Sequence, residues 1–326
     1  MQPSAQPIAQ PAPPTAAQPE PQVGRIRRGW LLTKSSWHVL RLDKELTALP
    51  FISFFVALIG LIPIGLIVWK TTTIIDSSTR AIPTNDPIYQ TSLQPWEQFL
   101  LAFLAYFITT LVANFFGGAV IYGATQRFRG GDPTLSTSIA GARRKISPLI
   151  LFSLMMTTVG LFFQFLEDRL PFAGALAARL FDAAWTIANI FAVPVIVLSD
   201  KNVQPLEATK QSVQVIKKVW GEGIVANIGI GFIALFSYIV YVLVFVLAGT
   251  AAYGLGGSGE NFAPLAIVTG LGLIGLVGLI LVFTTLSSIA KAALYHYAIT
   301  GTAPGPYDKD LLRTSMTPKK ARKVFG

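Results

Sequence analysis

Catalysis needs a nucleophile with a base, a metal-ligand set or a phosphate cradle, and the 326 residues offer little of any. There is no cysteine, which removes thiolate nucleophiles, thiolate metal sites and disulfides together. The two histidines, His38 and His296, are too few for a histidine-based metal site. Glu167 and Asp168, followed by Arg169, pair two carboxylates that could bind a cation. They sit at the end of an apolar run, where a solvated helix terminus is the simpler reading. Ser153 and Ser237 have no adjacent base to activate them. Gly270, Gly272 and Gly275 match G-x-G-x-x-G. A dinucleotide site needs that motif between a strand and a helix. Here it lies inside a long apolar run with Gly278 following, where small residues let helices approach closely. Gly223, Asn227 and Gly231 read as a similar packing seam. Asn114, Asn189 and Asn227 each follow an alanine inside an apolar run. They either line a polar path or hydrogen-bond between helices, at ~0.6 kcal/mol each on average. The second reading is the expectation, with no catalytic, cofactor or metal site.

The elements that carry these residues are set by apolar length. Hydrophobic residues make up 52% of the chain, charged residues only 13%, and the mean hydropathy is +0.56. A soluble domain needs about twice that charge. A helix crosses a ~30 Å hydrocarbon core with about 20 apolar residues. Six segments qualify, at about 49–69, 99–123, 146–166, 178–199, 223–254 and 262–290. The expected fold is therefore an all-α integral membrane protein of six transmembrane helices. The fourth span is the shortest in uncharged residues and is extended past Asp182 and Arg179, which pair at i, i+3 spacing. Pro63 and Pro194 are expected to kink the first and fourth spans. No ionisable residue falls at mid-span, where proton-coupled transporters and intramembrane hydrolases keep them.

The net charge of +10 is distributed by topology. All but four of the 26 Lys and Arg fall before span one, between spans two and three, between four and five, or at the end of span six. The exceptions are Lys70, Arg80, Arg169 and Arg179. The positive-inside rule then puts both termini in the cytoplasm, as an even number of spans requires. The same distribution disposes of a nucleic-acid reading for the basic C-terminal residues. Residues 1–24, rich in Pro, Gln and Ala, read as a disordered cytoplasmic tail, without the pattern of a signal peptide. Residues 25–300 form the membrane domain and 301–326 a basic cytoplasmic tail. The segment from Lys70 to Glu97 carries no persuasive strand or helix pattern.

Before spans one, three and five lies an amphipathic stretch ending in basic residues. Its apolar faces are Trp30, Trp37 and Leu40 in the first copy, then Leu135, Ile139 and Ala142, then Val213, Ile216 and Trp220. Pro133 and Pro205 start the second and third copies. Arg143-Arg144 and Lys217-Lys218 fall at matching places. This reads as three parallel repeats, each an interfacial helix plus a transmembrane hairpin. Arg143, Arg144, Lys145, Lys217, Lys218 and Trp220 are then candidates for contact with anionic lipid headgroups.

Three blocks carry a resemblance: Gly29-Trp30 with Ser36 through Glu45, Pro205 through Glu222, and Leu294 through Leu312. Together they resemble a bacterial and archaeal membrane family, domain of unknown function sixty-one fifty-nine. The resemblance implies a polytopic membrane protein and carries no activity or site residue with it. The functional expectation is a non-catalytic multi-pass protein of the cytoplasmic membrane that organises lipids or binds partners. The alternative is a transporter or channel for a small or lipid-like solute. A wet central cavity on the bundle axis favours the transporter or channel, and a dry, Gly- and Leu-packed centre favours the non-catalytic reading.

Overall fold

A computed structural model describes residues 25–75, 88–218, 223–255, 262–305 and 307. The expected Pro-rich tail at 1–24, most of the basic tail and Trp220 lie outside the described residues. Helices dominate: α1 (Arg25–Leu42), α2 (Lys44–Thr71), α3 (Pro95–Phe128), α4 (Leu135–Arg143), α5 (Ile146–Arg169), α6 (Phe172–Ala188), α7 (Ala192–Leu198), α8 (Pro205–Lys218), α9 (Gly223–Leu255) and α10 (Ala263–Thr300). Six stretches are long and apolar enough to cross a membrane: α2, α3, α5, α6 with α7, α9 and α10. They make this a multi-pass membrane protein.

The departures from expectation have physical causes. The fourth span starts at Phe172, and it breaks at Asn189–Phe191 into α6 and α7. Pro194 has no N–H for the carbonyl of Ile190, and its ring crowds that carbonyl. Pro50 and Pro63, by contrast, lie inside a continuous α2. Arg179 does not pair with Asp182 on its own helix; it reaches across to Glu167 at the end of α5. The segment after α2 is not patternless. A strand β1 (Thr72–Ile75) pairs antiparallel with β2 (Ile88–Thr91), Thr72 opposite Thr91 and Ile75 opposite Ile88.

Three second spans meet at the centre, since α3, α7 and α10 all touch one another. Around them α2 lies against α3 and α10, α5 against α3 and α6, and α9 against α10. The short helices gather at one end, the basic end. There α4 packs on α3, α8 on α7, α5 and α6, and α1 on α9 and α10. Each thus lies on a hairpin other than the one it leads into.

These short helices bury one residue of each expected face, Leu40, Ala142 and Ile216, together with smaller neighbours. α1 buries Ser36, Val39 and Leu40 while Trp30 and Trp37 stay exposed. α4 buries Ser138, Gly141 and Ala142, and α8 buries Ser212, Val215 and Ile216. Each buried set includes a serine with its i+3 and i+4 neighbours, joined by Thr33 on α1 and Ala208 on α8. Small side chains admit close approach, as at Gly141, where Tyr122 leaves no room for a Cβ. The packed region also extends past α10. Tyr307 is buried and hydrogen-bonded to Ser36 at 2.8 Å, so the ordered fold runs beyond residue 300. Burial pushes the Tyr307 phenol above the usual tyrosine range, against a smaller opposite pull from the Ser36 hydrogen bond.

Candidate functional site

Two cavities hold the polar chemistry of the bundle, and each is built by local sequence features. The first is a recess at the basic end. Its floor is fixed by the acidic residues that join α1 to α2. The Asp43 carboxylate takes a forked pair of hydrogen bonds from Arg127, which also reaches Asp132. Glu45 accepts from the backbone N–H of Leu135 at 2.6 Å, adding a carboxylate to the positive N-terminus of α4. Thr134 caps the same turn through the N–H of Thr137. Helix α3 ends in a Schellman turn: Gly130 donates to Arg127 O and Gly131 to Gln126 O. Gly130 adopts φ +82°, which a side chain would strain.

This turn and α4 bring Arg129 and Arg144 to the wall of one recess of about 390 Å³, with Tyr122, Thr125, Gln126 and Lys145. The end of α7 and Asp200 close the opposite wall. Among the described residues no carboxylate pairs with Arg129 or Arg144. Lys145 is engaged differently. Its Nζ donates to the carbonyls of Asp200 and Lys201, at 3.2 and 3.0 Å, and so ties α5 to the α7–α8 turn.

The second cavity lies deeper, where α3, α5, α7 and α10 meet. The break before α7 frees backbone groups that need partners, and α8 supplies them. Ser212 Oγ accepts from Phe191 N at 3.0 Å, and Thr209 Oγ1 donates to Asn189 Oδ1 at 2.7 Å. Asn189 Nδ2 donates to Trp185 O at 2.9 Å. On the facing side Asn114 Nδ2 donates to Ser153 Oγ at 2.9 Å, linking α3 to α5. Both asparagines therefore bond within or between helices, and both also line a cavity of about 340 Å³. Thr186, Thr284, Ser288 and Lys291 line it too. The bundle centre is thus not purely apolar.

The expected site residues scatter. Arg144 lines the basic recess, whereas Arg143, Lys217 and Lys218 are exposed and lie outside its wall. Lys145 turns to backbone carbonyls. Trp220 and the side chain of Asn227 lie outside the described residues. In the glycine-rich run of α10, Gly272 and Gly275 press against Phe245 and Tyr241, and the Tyr241 hydroxyl donates to Gly272 O at 2.7 Å. A dinucleotide cradle has no place in that helix contact. Gly270, Gly278 and, on α9, Gly231 meet nothing within 4 Å, so the proposed seam through Gly231 has no close contact there.

Two residues escaped the sequence reading. Arg129 was visible only as a cation before Gly130-Gly131, a turn signal. Lys291 reads as ordinary charge at the end of span six. In the fold, α10 continues to Thr300 and places Lys291 against the inner cavity. The helix-compatible run Ala292 to Thr300 after it was the available signal.

No curated protein and no solved structure matches the chain. Residues 97–305 match the family of unknown function DUF6159. The match begins within α3, so the block from Gly29 to Glu45 falls outside it even though Asp43 and Glu45 hold the matched region in place. Over well more than half its length, this chain belongs to the family DUF6159.

Proposed function

We propose that this protein is a non-catalytic anionic-lipid binder of the cytoplasmic membrane, with both termini in the cytoplasm. The observation that carries the reading is the pair Arg129 and Arg144 on one recess, without a carboxylate partner among the described residues. Guanidinium groups suit phosphate because they donate through a planar fork. The charge distribution along the chain puts this end of the bundle inside. The three short helices, each burying a serine face and followed by basic residues, support three parallel units related about the bundle axis. On this reading Arg41, Arg143 with Arg144, and Lys217 with Lys218 meet the headgroup layer around that axis.

The test uses the full chain in nanodiscs of phosphatidylcholine with a minor fraction of phosphatidylglycerol. Each cation near an anionic surface contributes ~1 kcal/mol. Arg129→Gln with Arg144→Gln should therefore weaken retention of phosphatidylglycerol by roughly thirtyfold in native mass spectrometry. The chain has no cysteine, so Arg144→Cys should react with an impermeant thiol reagent only after cells are opened. Unchanged lipid retention in the double variant sinks the recess, and labelling in intact cells sinks the orientation.

A further inference from the structure

Lys291 is the only ionisable residue lining the inner cavity among the described residues. Helix α10 ends at Thr300, so at ~1.5 Å per residue Lys291 lies about 14 Å in from that end. A cation turned toward a bundle cavity is costly unless it is paired and hydrogen-bonded. Among the described residues Lys291 has no carboxylate partner and makes no hydrogen bond. The other residues in this wall are neutral. The Thr284 and Ser288 hydroxyls donate back into α10 at 2.8 and 3.0 Å, and Asn114 donates to Ser153. The cavity thus presents a cation without a counter-charge.

A second cavity, of about 260 Å³, adjoins it and is mostly apolar, with Phe54, Val112, Phe116 and Leu281 in its wall beside the hydroxyls of Ser53 and Thr109. The two share Ala113, Gly117, Thr284 and Ser288. At this junction a Cβ on Gly117 would meet nothing closer than Ser288 Oγ at 4.0 Å. An apolar chamber adjoining one that holds an unmatched cation fits a molecule with a tail and a charged end, and both volumes lie near the usual range for small-molecule sites.

We propose that this double cavity binds a single-chain anionic amphiphile, its carboxylate or phosphate head at Lys291 and its acyl chain between α2, α3 and α10. The site is separate from the basic recess, with which the inner cavity shares no lining residue.

The test uses the full chain in phosphatidylcholine nanodiscs with two photoreactive probes, a palmitate for the carboxylate head and a lysophosphatidate for the phosphate head. Crosslinks from at least one probe should map to α3 and α10. Lys291→Met should cut the yield at least tenfold with no loss of thermal stability, since it removes an unmatched charge. Lys291→Arg should keep most of the labelling. Gly117→Leu, which keeps the amine and fills the junction, should cut the yield comparably. The better-labelled probe identifies the head. Undiminished labelling in Lys291→Met or in Gly117→Leu overturns the site. Competition by acetate or inorganic phosphate as strong as by unlabelled palmitate overturns the amphiphile and favours passage of a small solute.

Discussion

The two halves of the long helices differ sharply. Toward the basic end α3 is buried nearly all round from Phe116 to Thr125 and α10 from Thr285 to Tyr295, while α5 buries one face from Pro148 to Thr157. Toward the other end the same helices are bare: Phe99 is 59% exposed, Phe165 53% and Leu271 65%. In water those surfaces would drive aggregation. In a bilayer they cost nothing, because acyl chains are as apolar as leucine and give helices no hydrophobic reason to associate. The packed half differs in holding polar and small residues. Asn114 reaches Ser153, Ser212 reaches Phe191 N, and a Cβ on Gly118 would lie 2.8 Å from Val197. Apolarity therefore admits these helices to the membrane, and hydrogen bonds with close contacts decide where they join.

That contrast breaks most easily at its charged clasp. Asp43→Ala strips Arg127 of its buried carboxylate and should cost about 3 kcal/mol, read as thermal unfolding in detergent. A loss under about 1 kcal/mol would mean that the exposed Asp132 suffices. Next comes a direct comparison of the halves. Leu149→Ala, at a fully buried position, should cost about 2 kcal/mol through the cavity it leaves. Leu243→Ala, at a 59% exposed position, should stay within about 0.5 kcal/mol. Equal losses at the two sites would erase the distinction.

The smallest expected effect concerns the end of the packed half. Tyr307→Phe removes the hydrogen bond to Ser36 and should cost about 1 kcal/mol. The folded phenol ionises above its ordinary value of 10.0. The unfolded chain then loses its proton first, so the stability from Tyr307 is full below pH 10 and falls as pH rises above it. The phenylalanine variant should lack that alkaline decline. A decline of equal slope in both proteins would show that Tyr307 does not cause it.

The site was less legible in the sequence than the spans. The amphipathic stretches before spans one, three and five were visible by period, and their buried faces in part: Leu40, Ala142 and Ile216 are buried, whereas Trp30 and Trp37 are exposed. Counting large apolar residues selects Trp30, Leu135 and Val213. Helices that approach closely bury Ser36, Ser138 and Ser212 as well, and leave Trp30, Leu135 and Val213 less buried. Asn114 and Asn189 were visible as polar residues in apolar runs. That they line one cavity depends on the break before Pro194, which turns the fourth span at the level of α3 and α10.

By itself the sequence determined the number of spans, the membrane class, the sidedness of charge and the absence of thiol chemistry. These follow from composition and run length, which the bilayer reads one segment at a time through the cost of exposing backbone and charge to hydrocarbon. The tertiary structure alone decided that Arg129 and Arg144 share a recess, that Arg179 chooses Glu167 over Asp182, and that Lys291 faces a cavity beside residues from four other helices. Those outcomes depend on which helix faces meet and at what height. No one-dimensional period encodes that, because contacts between distant segments are set by small residues and single hydrogen bonds rather than by hydropathy.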